Sequence, residues 1–240
     1  MLILFIMNYE DYQKISLMEL MNMNEFTGKV KDRDPPQSFD LKVKKIESKK
    51  INPYEANSIE ELSEIYSNFI YEKSFKAPEY GISIIEGDIK SKILFLFGFC
   101  NKNDKKIIDG DEGILFDKML NSINLNREKI ALCSFIARGL EEYKNNQEFT
   151  QFNQLMIYRL IEIINPRNLV ILGNYPIKML LASNLSSMSL RGKWFDFNTP
   201  NDTSPKRTRV LYEPKMLLNN PELKKEAWQD LKELKEQIGG

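Results

Sequence analysis

The chain has 240 residues, 42% apolar and 28% charged, with a formal net charge of zero. These values exclude global disorder, and any grip on nucleic acid must use a local patch, since a domain held by overall charge would be basic. Histidine is absent and there are only two cysteines, Cys100 and Cys133. That removes the usual base near neutral pH, the commonest zinc ligand, a disulfide framework and a four-cysteine metal site.

The opening stretch, MLILFIMNYEDY, carries seven apolar residues and then asparagine and acids. It lacks a basic leader and a small-residue cleavage site. It is also far shorter than the roughly 20 residues that span a bilayer. The expectation is a cytoplasmic protein without membrane attachment, starting at Met1 or at Met7. Residues 8–57 combine a short amphipathic piece (Ile15, Leu17, Leu20, Met21) with KVKDRDPPQ and a lysine-rich run, which reads as an arm and linker. Residues 1–57 are therefore set apart from a domain over 58–240.

From Ser58 the pattern becomes regular. Ser58 and Glu61 make a capping box, and Ile59, Leu62, Ile65, Tyr66, Phe69 and Ile70 keep helical spacing. Strands are expected at 92–98, 130–135, 169–173 and 208–212, the first (KILFLFG) a nearly continuous apolar run of the kind buried on both faces. Helices fall between them, over Leu115–Ile123 and Phe152–Ile164. A further short helix is capped by Asn174, with Pro176 in its first turn. Asn220-Pro221 opens the last helix. Strands alternating with helices predict an α/β fold, a three-layer αβα sandwich around a central four-stranded, mostly parallel sheet. Ligands of such sheets bind at the carboxyl ends of the strands, which singles out the loops 98–113, 134–147, 173–176 and 212–220.

Taken together, these loops and their flanks resemble the uracil-DNA glycosylase superfamily, most closely its bacterial iron–sulfur branch. The resemblance runs over residues 58–234, about three quarters of the chain. It rests on IEELSEIYSNF, ILFLFGFCN, GDEGILFDKMLNSINLNREKIALCSF, INPRNLVILGNYPIKMLL, LRGKW and LYEPKMLLNNPELKKEAWQDL, in that order. It implies a DNA partner, a flipped base and hydrolysis of the base–sugar bond. That reaction needs a donor for the charge that develops on departing uracil and an acid near the sugar or the attacking water.

Scaffold positions of the family's motifs are kept at Gly98, Gly110, Gly113, Gly173, Arg191, Gly192, Trp194, Pro214, Leu217, Leu218 and Trp228. The chemical positions are not. The family's first-loop glutamate falls on Phe99, its base-reading asparagine on Ser134, and its histidine donor on Glu213. The cysteines that hold the branch's cluster are missing, and the expectation is a protein with no cofactor and no metal. The resemblance implies a base pocket at Gly98, Phe99, Asn101, Gly110 and Ser134. DNA contacts would come from Arg191, Pro214, Lys215 and Met216.

The candidate acids are Glu213 together with Asp109 and Asp111; Asp104 and Glu112 lie in the same acidic loop. Glu213, if protonated, could donate a hydrogen bond; as an ordinary loop acid it faces water or holds a backbone amide. Ser134 either bonds a ligand or is a strand-end hydroxyl tied to backbone. In EPKMLLNN, Leu217 and Leu218 are expected to anchor inward, leaving Lys215 and Met216 to reach outward. Two functions follow: a glycosylase-like hydrolase with lost or altered activity, or a non-catalytic relative that binds DNA or a protein partner.

Overall fold

The computed structural model describes residues 51–76, 83–100, 104–181 and 186–239. The expected arm up to residue 50, and Asn101, lie outside them.

The four expected strands form the parallel centre of the sheet, and two antiparallel edge strands extend it to six. The strands are β1 (Ile85–Gly87), β2 (Ile93–Phe99), β3 (Ala131–Ile136), β4 (Asn168–Leu172), β5 (Trp194–Thr199) and β6 (Asp202–Leu211), in the spatial order β1-β3-β2-β4-β6-β5. β2 pairs in parallel with β3, Phe97 opposite Ser134, and with β4, Leu94 opposite Leu169. β4 pairs in parallel with β6. β1 and β5 run antiparallel to β3 and β6.

The helices are α1 (Ile59–Glu72), α2 (Gly110–Ser122), α3 (Gln147–Ile164), α4 (Asn174–Leu181), α5 (Ser187–Leu190), α6 (Pro214–Asn219) and α7 (Lys224–Gly239). None among the described residues is long and apolar enough to cross a membrane.

Alternation along β2 divides the core. Ile93, Phe95 and Phe97 join Leu132, Val170, Leu172 and Leu211 on the face covered by α2 and α7, through Phe116, Met119, Ala227 and Leu231. The Phe116 ring stands edge-on to both Phe95 and Phe97, with centroids at 5.6 and 5.1 Å. Leu94 and Leu96, fully buried, point to the opposite face. There α1 packs on α3 through stacked Phe69 and Phe152, 3.7 Å apart. The result is three layers with the sheet in the middle.

Local signals explain where the helices begin and end. The Ser58 side chain accepts from Glu61 N, but Glu61 Oε2 reaches back to Asn57 N, one residue beyond the N-cap. Asn146 caps α3 by accepting from Phe149 N, and Asn165 ends it in the left-handed conformation (φ 48°), immediately before Pro166. The helix after β4 starts with Asn174 itself. Its Oδ1 accepts from Ser187 N rather than capping its own helix.

The β5–β6 hairpin surrounds a buried ionic cluster. Arg209 is fully buried, 2.7 Å from Asp230 and 2.8 Å from Glu233, with its guanidinium over the Trp194 ring at 5.2 Å. Lys206, also fully buried, donates to Asn165 and Asp202. Removing one partner from such a set leaves an uncompensated charge, so these contacts lock the hairpin onto α7 and the end of α3.

Candidate active site

The connections after β2, β4 and β6 converge at the carboxyl end of the sheet. In the order β3-β2-β4, the chain leaves β2 in one direction and β4 in the other, which opens a crevice between them. A cavity of about 60 Å³ occupies it. Phe97, Gly98 and Phe99 contribute from the end of β2, Asp104, Ile107 and Ile108 from the loop that follows, and Glu112 from the first turn of α2. Tyr175 enters from α4, with Glu213 and Lys215 at the start of α6.

The wall after β2 is fastened from outside the cavity. Glu86 of β1 accepts from Ile107 N at 2.7 Å. Arg127 donates to the Ile108 carbonyl and to Asp117. Gly113 faces this wall so closely that a Cβ there would stand 2.8 Å from the Ile108 oxygen.

Glu213 occupies the N-cap position of α6 without capping it. The half-buried carboxylate instead lies over the turn after β4. A Cβ on Gly173 would stand 2.5 Å from Glu213 Oε2, and Gly173 itself has φ +85°, so both backbone and space require glycine. Burial, then the negative charge of Glu112, push the Glu213 carboxyl above its ordinary range, and Lys215 partly offsets them. Glu112 is also raised, chiefly by burial, with Lys215 opposing and Asp104 adding to the shift. Lys215, an exposed lysine, thus acts on both half-buried acids.

Asp109 and Asp111 stand differently. Asp109 is the N-cap of α2, accepting from Gly110 N and from Lys105 N, and these backbone bonds hold its carboxyl below the usual range. Asp111 is exposed and does not line the cavity. The acids the fold brings together are Asp104, Glu112 and Glu213. Glu112 reaches the cavity because it sits at the third position of α2, on the side facing α6.

Phe99 is 36% exposed at the mouth, edge-on to Tyr175 at 6.0 Å, and the Lys144 ammonium stands over its ring at 5.6 Å. Gly98 lets the Tyr175 side chain close to within 3.2 Å of where its Cβ would be. Tyr175 also meets Phe135 edge-on, and burial lifts its phenol to about 12. Gly110, φ +59°, opens α2 in free space, away from the cavity lining.

Ser134 is not a strand end: β3 continues to Ile136, and the hydroxyl is fully buried without a partner, beside Phe97. Its alternation with Leu132 turns it toward the same face as the cavity floor.

The segment EPKMLLNN is a helical turn rather than an open loop, and this corrects which residues point inward. Pro214 and Leu217 are buried and Met216 packs partly on the core, whereas Lys215 and Leu218 are exposed. A helix returns to the same side after three residues, so 214 and 217 share the inner face and 215 and 218 the outer one. Arg191 is spent on structure. It pairs with Asp230 at 2.9 Å and Glu226 at 3.1 Å and lies over the Tyr212 ring.

The cysteines do not fit an iron–sulfur cluster, which is usually held by four thiolates. Cys100 and Cys133 are both buried, one after β2 and one inside β3. Burial pushes the Cys100 thiol up to about 12 and raises Cys133 further, which opposes the thiolate form. Among the described residues, no group of three histidine, cysteine, aspartate or glutamate side chains is gathered to hold a metal ion.

Tyr175 lies in the loop 173–176 that the strand ends single out, but it was not itself among the expected site residues. The family model for the "Uracil DNA glycosylase superfamily" matches residues 99–232, more than half of the chain, from the end of β2 into α7. No curated protein matches the chain.

Proposed function

The chain belongs to the uracil DNA glycosylase superfamily, and on that premise we propose a DNA-acting relative whose uracil excision is lost or greatly reduced. By the order of its motifs we place it nearest the bacterial iron–sulfur branch, without the cluster.

The observation that carries this reading is the half-buried carboxylate of Glu213 where the family places a histidine donor. Uracil leaves the sugar with negative charge on its oxygen. An ionised carboxylate there sets like charges together in a poorly solvated site, which raises the barrier. Losing one oxyanion donor alone costs about 10²–10³ in rate. Phe99 and Ser134 also replace the family's acid and base reader, so Glu213→His alone is not expected to restore full activity.

In this reading α6 descends from a segment that entered the minor groove to support a flipped base. Lys215 and Leu218 form its outward face, suited to a phosphate and to an apolar contact between bases. The test is excision on oligonucleotides carrying uracil, hypoxanthine or xanthine, single- and double-stranded. Absent or trace release of uracil supports the reading, and rapid release refutes it.

A further inference from the structure

Resting on the reading that this cavity is an altered glycosylase base site, we propose that it receives a cationic, N-alkylated base, of which 7-methylguanine is an example.

Three features of the cavity favour a flat cation over a neutral or anionic ring. The first is charge. Among the described residues, Asp104, Glu112 and Glu213 line the cavity together with Lys215, and the charge of Glu112 opposes that of Glu213. A cation between them would relieve that repulsion, and the described residues offer no metal site to do so. The second is the aromatic mouth. Phe99 is partly exposed and the Lys144 ammonium stands over its ring at 5.6 Å, a place that a flat cation would take over from it. The third is size. At about 60 Å³ the cavity is well below the roughly 150 Å³ that admits benzene. A purine does not fit whole, so its charged edge would enter while its ring plane takes the place of the Lys144 ammonium on Phe99.

The chemistry agrees with the loss of the donor. In an N-alkylated nucleotide the base already carries positive charge. When the C1′–N bond breaks, its electron pair passes into the ring, cancels that charge, and the base departs neutral. No oxyanion forms, so none needs stabilising. Water adds to C1′, and the proton it loses passes to Glu112 or Glu213 and then to solvent; one proton is released for each base. The same carboxylates that oppose uracil departure favour the cationic sugar of this transition state.

The full-length protein is titrated with 7-methylguanosine, held cationic in mildly acidic buffer, and in parallel with guanosine, by calorimetry. It is also assayed for release of 7-methylguanine and of uracil from matched duplexes. The inference expects the cationic nucleoside to bind about tenfold more tightly. The preference should disappear in a Glu112→Gln, Glu213→Gln double variant that remains folded by circular dichroism. Phe99→Leu, which keeps an apolar residue but removes the ring, should reduce it. Equal affinity for the two nucleosides, or a preference that survives both variants, overturns the inference. Robust uracil release by the same protein instead overturns the reading beneath it.

Discussion

Glu213 is the residue on which the site turns, and its environment makes a prediction independent of DNA. Its carboxyl is raised by burial and by Glu112, so between the ordinary carboxylate range and the raised value the folded state binds more protons than the unfolded one. Stability attributable to this group is therefore present at low pH and lost as pH rises through that window. Glu213→Gln should raise the thermal midpoint at neutral pH and flatten this decline, measured by thermal unfolding across a pH series. An unchanged midpoint would mean that the carboxylate is well solvated.

Asp109 separates in the same way. As the cap of α2, Asp109→Ala should lower the urea midpoint and leave nucleoside and DNA binding intact. Within the acidic stretch 104–112, the sequence did not tell the cap from the cavity acids. That distinction depends on the α2 start, and the left-handed Gly110 places it at Asp109. Tyr175 was missed for a related reason. Its approach to Gly98 joins residues far apart in the chain, and no local pattern carries that contact.

At the scale of elements, the parallel strands β2, β3 and β4 were legible as short, mostly apolar runs, and each lay within a few residues of its expected start; β6, which carries the buried polar residues Lys206, Thr208 and Arg209, did not. That strand begins at Asp202, six residues early, because it pairs with β5 in a hairpin extending beyond the core. β1 and β5 escaped because one spans three residues and the other alternates exposed Asp196 and Asn198 with buried Phe197 and Thr199, so neither leaves an apolar run. α6 was read as a loop because six residues between two prolines show too little periodicity. The helical reading has a direct check. Leu217→Ala, on the buried face, should cost about 2–5 kcal/mol, while Leu218→Ala should stay within about 0.5 kcal/mol, both from denaturant unfolding. Similar costs at both positions would contradict a helix with one inner face.

For the whole molecule, a net charge of zero means that DNA affinity must come from a few placed cations rather than a general field. Lys215 sits beside the cavity on the outer side of α6. Lys215→Glu should weaken binding to an abasic or mismatched duplex and lessen its salt dependence by about one phosphate contact, read from affinity at several salt concentrations. An unchanged affinity would remove α6 from the DNA interface.

The central claim is that this scaffold no longer supplies what a departing uracil needs. Its most direct test is single-turnover release of uracil from single- and double-stranded oligonucleotides, with the unmodified protein in excess and Glu213→Gln beside it. Release at or near the rate without protein, for both forms, is the predicted result. Fast release by the unmodified protein that Glu213→Gln abolishes would contradict the account and make Glu213 a working acid.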